Sequence, residues 1–321
     1  MTSIHLVDPE LRDFALAFPR LRLDGERLGK IREAQAKLVV EPQWGTDEDG
    51  ISAERLSVPG LPGEPEARLI LYRPGEARHA GTALLQIHGG GYVLGTAAGS
   101  DAGNRALVRE LGCVVAAVDY RLAPETPYPG PLNDCYAALA WLHGQAGELG
   151  VRRETIGVKG DSAGGGLAAA LALLARDRGE YPLAFQHLIY PMIDDRTCVR
   201  EHPHPFTGEF LWTAEDNRFG WQSLLQRPPG GDDTPAYAAP SRATDLAGLP
   251  PTFVATGDLD LFLDEDLDYA LRLTRAGVPI ELHVYPGAYH AFPLAAEASV
   301  SRRANADSLD ALRRAFASGG R

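Results

Sequence analysis

Three short stretches carry residue types that could act together on a carbonyl group. The first is IGVKGDSAGGG, where Gly160, Ser162 and Gly164 form a G-x-S-x-G pattern between an apolar run and an Ala/Leu-rich one. A serine at the tip of a sharp strand-to-helix turn has a strained backbone, and its neighbours must be small to avoid clashes. The helix that follows points its N-terminus at the reaction site, where free N–H groups favour developing negative charge. Alone the pattern is weak, because Gly-Ser turns are common. Its place after a strand and before a helix gives it weight.

A serine hydroxyl is a poor nucleophile until a base takes its proton, and the base is usually a histidine oriented by a carboxylate. Five histidines follow Ser162: His187, His202, His204, His283 and His290. His187 and His283 fall within strand-like runs and read as structural. His202 and His204 lie in a Pro-rich stretch. His290, in YPGAYHAF, follows the last strand on a loop with Gly287. Loops at the carboxyl ends of parallel strands are where catalytic groups gather, so His290 is the candidate base. The segment TFVATGDLDLFLDED offers Asp258, Asp260 and Asp264 as the acid. Asp264 begins a helix and reads as a cap. The pattern does not separate Asp258 from Asp260.

The third stretch, LLQIHGGGYVLG, ends a strand with His88, Gly89, Gly90 and Gly91. Consecutive glycines weaken regular structure, but they let backbone N–H groups approach a tetrahedral oxyanion closely. Ala163, next to the nucleophile, would supply another N–H. His88 reads as an organiser of this loop rather than a second base.

These groups need a scaffold that brings strand ends together. Runs at Ala83–Ile87, Val114–Val118, Ile156–Lys159, His187–Tyr190, Thr252–Ala255 and Glu281–Tyr285 read as strands. Helical patterns lie between most of them, at Asn104–Leu111, Leu132–His143, Gly165–Arg176, Asp264–Arg275 and Ala304–Phe316. Such alternation predicts βαβ units and a mostly parallel α/β sheet. ALLQI, VVAAV and FVAT are nearly all apolar, as strands buried on both faces are. Ala67–Tyr72 reads as antiparallel strand at the sheet edge. Residues 8–40 read as helical. Residues 194–250, rich in proline and aromatics, break the alternation and read as an inserted helical cap. The expected division is a helical cap segment over residues 1–50 and a catalytic domain over 51–321.

Composition narrows the partners. The chain has 321 residues, a formal net charge of −12 and a hydrophobic content of 45%. That is a globular protein with an acidic surface, which disfavours nucleic acid and anionic membranes. Three widely spaced cysteines, Cys113, Cys135 and Cys198, predict free thiols and a cytoplasmic setting. The N-terminus has no signal-peptide pattern, and no apolar stretch reaches membrane-spanning length. No HExxH or similar ligand spacing appears, so neither metal nor cofactor is expected.

Taken together, HGGGYVLG, DYRLAPE (Asp119–Glu125), GDSAGGG, GDLDLFLDED and YPGAYHAF resemble the hormone-sensitive-lipase-like family of α/β-hydrolase esterases. The likeness runs from about Arg55 to about Leu294. It implies an eight-stranded, mostly parallel sheet with a cap made from the N-terminal helices and the later insertion. It implies Ser162 as nucleophile, His290 as base and Asp260 as acid, although Leu261 replaces the family's usual proline after the aspartate. Gly90, Gly91 and Ala163 become the oxyanion donors, supported by His88 and Gly89, and Arg121 and Glu125 become structural pairing residues.

The expected activity is hydrolysis of short- to medium-chain acyl esters through an acyl-enzyme. An amidase or deacetylase with the same triad, or a receptor that has lost catalysis, are the alternatives. Tyr92, Phe206, Phe210, Trp212 and Phe292 are candidate pocket residues. The expected partner is a small ester, and a homodimer paired through the sheet edge fits the resemblance.

Overall fold

The computed structural model describes residues 3–18, 20–75 and 80–319. At its centre is one nine-stranded sheet, in the order β1-β2-β3-β5-β4-β6-β7-β8-β9. The strands are β1 (Gly45–Thr46), β2 (Ser52–Val58), β3 (Ala67–Arg73), β4 (Ala83–Ile87), β5 (Val114–Val118), β6 (Ile156–Asp161), β7 (Gln186–Ile189), β8 (Thr252–Gly257) and β9 (Ile280–Tyr285). From β4 to β9 the pairing is parallel, and β1 to β3 join antiparallel through β3 and β5. The ninth strand, beyond the eight expected, is the two-residue β1, too short to show a periodicity. All residues of β4 and β5 are buried, which explains their unbroken apolar runs.

Helices cover both faces. Along the chain they are α1 (Arg12–Ala17), α2 (Leu28–Leu38), α3 (Asp101–Leu111), α4 (Gly130–Gln145), α5 (Ala163–Arg178), α6 (Ala214–Leu225), α7 (Leu263–Arg275) and α8 (Ser299–Ser318). Val108 of α3 and Leu312 and Phe316 of α8 share one apolar cluster, while α4, α5 and α7 contribute to another across the sheet. Both α3 and α5 stop at a left-handed glycine, Gly112 at φ 62° and Gly179 at φ 66°.

The reading of residues 8–40 as helical needs correction. The chain there forms a 3₁₀ turn at Pro9–Leu11 and the two separate helices α1 and α2. Phe18 precedes a proline, which forces it to extended backbone (ψ 122°) and ends α1. The excursion between β7 and β8 holds α6 and two 3₁₀ turns, Thr197–Val199 and Pro240–Arg242. Among the described residues no helix is long and apolar enough to cross a membrane.

From β4 the chain crosses to β5 on one side and later returns to β6 on the other. The strand order reverses there, so a crevice opens at the carboxyl ends of β4 and β6. His88–Gly91 leave β4 and Ser162 leaves β6 at that point.

Candidate active site

Ser162 sits between β6 and α5 with φ 57° and ψ −121°, a conformation side chains rarely adopt. Its neighbours explain how the turn survives. A β-carbon on Gly160 would come within 2.0 Å of Gly164 O, and one on Gly164 within 2.2 Å of Ile87 O. The turn is further tied by Ser162 N donating to Ile189 O (2.8 Å) and by Gly166 N and Met192 N donating to Ser162 O (3.0 and 2.9 Å).

The Ser162 hydroxyl lies 2.9 Å from His290 Nε2, and His290 Nδ1 lies 2.9 Å from Asp260 Oδ2. All three side chains are buried. Nδ1 facing a carboxylate carries the ring hydrogen, which leaves the Nε2 lone pair to accept the Ser162 proton. Asp260 Oδ1 accepts from Phe262 N (2.9 Å), so both carboxylate oxygens are held. Asp258 faces elsewhere and accepts from Gly287 N at 2.7 Å. Asp264 lies in the first turn of α7 and pairs with Arg200 (2.8 Å).

The glycine loop packs against the serine. A β-carbon on Gly89 would stand 3.3 Å from Ser162 Cβ and 2.9 Å from Asp161 O. Gly90 and Gly91 have φ 123° and 60°. Gly90 O accepts from Val93 N and Leu94 N, which folds the loop back on itself. His88 stacks on Tyr120 (4.2 Å) with Nδ1 2.8 Å from Gly89 O, and Tyr120 donates its hydroxyl to His88 O (3.0 Å). Burial holds the His88 pKa below the ordinary imidazole value, so the ring is neutral.

The aromatic candidates fall in different places. Trp212 is buried with its ring 6.4 Å from His290, and its far edge fills the space where a Gly91 side chain would go. Phe210 packs on Tyr289 at 5.6 Å. Tyr92 lies under the loop against Trp221 (5.2 Å) and donates to Met192 O (2.8 Å). Phe292 is buried beside Tyr285. Phe206 is 43% exposed and meets only the edge of His204 among the aromatic rings described.

Two rings that flank the imidazole were not singled out from the sequence. Tyr190 and Phe262 stand edge-on to His290, at 4.8 and 5.0 Å. Their signal was positional: Tyr190 directly follows β7 at its carboxyl end, and Phe262 lies two residues after Asp260. Arg121 and Glu125 do form ion pairs, Arg121 with Asp134 (2.7 Å) and Glu64 (2.9 Å), and Glu125 with Arg32 (2.7 Å).

A strained serine elbow, a buried Ser–His–Asp relay and a glycine loop at a strand-order reversal define a serine hydrolase on an α/β scaffold. Comparison with known proteins sharpens the class. A family model described as alpha/beta hydrolase fold matches residues 84–294. The chain is 35% identical to Carboxylesterase NlhH of Mycobacterium tuberculosis over 310 residues, 91% of this chain and 93% of that protein. It is 31% identical to the Arylesterase of Saccharolobus solfataricus over 297 residues, covering 89% and 92% of the two chains. Among solved structures it superposes on a bacterial heroin esterase with TM-score 0.90 and 44% identity, covering 98% and 99% of the two chains. The hyperthermophilic esterase of Pyrobaculum calidifontis follows the same path, with TM-score 0.79, 31% identity and coverage of 96% and 98%. The chain belongs to the hormone-sensitive-lipase-like family of the alpha/beta hydrolase fold.

Proposed function

We propose that the protein is a carboxylesterase that cleaves esters of short- to medium-chain acids through an acyl-enzyme on Ser162. The observation that carries this reading is the continuous buried relay from Ser162 Oγ through His290 to Asp260. His290 takes the serine proton as Oγ attacks the ester carbonyl, and Asp260 stabilises the imidazolium that results. The carbonyl oxygen becomes an oxyanion, met by the N–H groups of Gly90, Gly91 and Ala163. Ala163 opens α5, so its N–H is among the four at a helix start without an intrahelical acceptor. Each such donor is worth about 3–4 kcal/mol in comparable sites. His290 returns its proton to the leaving alcohol, and the acyl-enzyme is then opened by water that His290 deprotonates.

The cap in this proposal is made of residues 1–50 and 194–250, set over a catalytic domain spanning 51–321. Trp212, beside both His290 and Gly91, is its contribution to the acyl side; Phe210 supports it. The names of the relatives, a carboxylesterase and an arylesterase among them, support the substrate class. The three cysteines are free and buried, in keeping with a reducing cytoplasm. A homodimer through the free edge of β9, where Leu282 and Val284 are exposed, completes the proposal.

The test is hydrolysis of p-nitrophenyl butyrate by the wild type and by Ser162→Ala. Loss of the nucleophile should lower kcat by on the order of 10⁴ to 10⁶. Equal activity of the two proteins would remove Ser162 from the mechanism.

A further inference from the structure

Oxyanion stabilisation depends on donors that already stand in place when the charge develops. The consecutive Gly89, Gly90 and Gly91 are the softest backbone a chain can offer for that task. Bonds from Val93 N and Leu94 N to Gly90 O close the turn from within. The contacts that hold Gly91 come from elsewhere, from the excursion between β7 and β8.

Helix α6 lays one face on this loop. Asn217, Gly220, Trp221 and Leu224 recur at the spacing of a single helix face, and all four are buried. Gly220 makes the closest approach. A β-carbon there would stand 2.6 Å from Gly91 O and 3.5 Å from Gly91 C, so an alanine fits only if backbone moves. Glycine inside a helix is otherwise unfavourable, and this contact is the physical reason for it. Two indoles act on the same loop. Trp212, just ahead of the α6 N-cap Thr213, puts its far edge where a Gly91 side chain would go, and its Nε1–H donates to Asn217 Oδ1 (3.2 Å). Trp221 packs at 5.2 Å on Tyr92, the residue after Gly91. Gly91 is thus bounded by helix backbone at its carbonyl and by an indole at its α-carbon.

We propose that Gly220 is a positioning residue for the reaction: by seating α6 directly on Gly91 O, it fixes the oxyanion loop in its donating conformation. Gly220 acts through Gly91 rather than on the ester. The proposal rests on the esterase reading above, in which Gly90, Gly91 and Ala163 are the donors. A residue with this role matters where the carbonyl oxygen carries negative charge and hardly at all in the bound ester, so its loss falls on kcat and not on KM.

The experiment is Gly220→Ala, read with p-nitrophenyl butyrate and with propyl trifluoromethyl ketone, which serine hydrolases hold as a tetrahedral oxyanion adduct. Moving the donors by a fraction of an ångström should lower kcat roughly 10- to 100-fold while KM stays within about threefold. The inhibition constant of the ketone should rise by the factor that kcat/KM falls, because the adduct carries the same oxyanion. The same replacement at Gly144, an exposed position of α4 whose β-carbon would meet nothing within 4 Å, is the control. It should leave all three constants within about twofold. If Gly220→Ala does not fold, Trp221→Phe loosens the packing on Tyr92 instead and should lower kcat roughly threefold to tenfold, again with the ketone constant following. Unchanged kcat would overturn the proposal. So would a rise in KM alone, or a fall in kcat that the ketone does not follow, since these place the effect in binding or in the proton relay. A wild type inactive on every ester and insensitive to the ketone would sink the esterase reading itself, a result distinct from all of these.

Discussion

At the residue scale, the reactivity of the Ser162 hydroxyl depends on which nitrogen of His290 carries hydrogen. Asp260 Oδ2, 2.9 Å from Nδ1, keeps it there, and Asp258 spends its carboxylate on the Gly287 N–H. Asp260→Asn should therefore lower kcat by about 10⁴, because an amide can present its N–H to Nδ1 and stabilise the wrong tautomer. Asp258→Asn keeps an acceptor oxygen for Gly287 and should leave kcat within about tenfold of the wild type. Steady-state kinetics on one ester checks both. The glycine loop gives a steric counterpart. A β-carbon on Gly91 would overlap the Trp212 ring, at 2.1 Å from its far edge, and the residue's φ is +60°. Gly91→Ala must displace either the ring or the loop.

At the element scale, the start of α7 places two buried acids, Glu265 and Asp266, near Asp260. Glu265 accepts from Ile193 N (2.7 Å) and Asp194 N (3.1 Å), which fastens the chain leaving β7 to this helix. Asp266 is fully buried, with the Thr256 side chain beside its carboxyl. Burial first, then the neighbouring Glu265 and Asp260, push its pKa well above the ordinary carboxylate value. The carboxyl is thus neutral in the fold over a pH range where the unfolded chain ionises it. Its stability contribution is intact below the unfolded pKa and declines as pH rises toward the folded one. Asp266→Asn, neutral at every pH, should raise Tm relative to the wild type at pH 8, with the difference shrinking toward pH 4. Thermal melts across that range test the sign. In the elbow, a Gly164 side chain would strike Ile87 O, so Gly164→Ala should cost roughly 1–3 kcal/mol in denaturant unfolding.

At the scale of the whole molecule, the N-terminal segment is tied both to the excursion after β7 and to the His290 loop. Leu23 N donates to the buried Asp216 of α6 (2.8 Å), and Ser3 Oγ donates to Glu209 (2.7 Å). Asp8 N donates to Gly287 O (3.0 Å), and Tyr289 donates its hydroxyl to Leu11 O (3.1 Å). Asp216→Ala leaves a buried N–H without its acceptor. It should make residues 20–40 the first site of limited proteolysis while the sheet remains protected. The proposed dimer belongs at this scale too. Light scattering should give twice the mass expected from sequence, and replacing Leu282 with Lys should return the monomer.

How much of this was legible beforehand depends on the range of the interactions involved. The βαβ order, the Ser162 elbow and the glycine loop were readable because strand burial, turn strain and close backbone approach act over a few neighbouring residues. The helices of residues 8–40 were misjudged in extent, since a proline-imposed extended residue outweighs the apolar periodicity around it. The sequence by itself singled out Ser162 and His290 and carried the family likeness, which implied Asp260. Only the tertiary structure gave the 2.9 Å contact of the imidazole with Asp260, which the family likeness already implied, put Tyr190 and Phe262 at the ring's edges and opened a cavity beside Asp161. Those arrangements join side chains from different strands and loops. Their distances follow from how the sheet twists and how its helices pack, which no local spacing encodes.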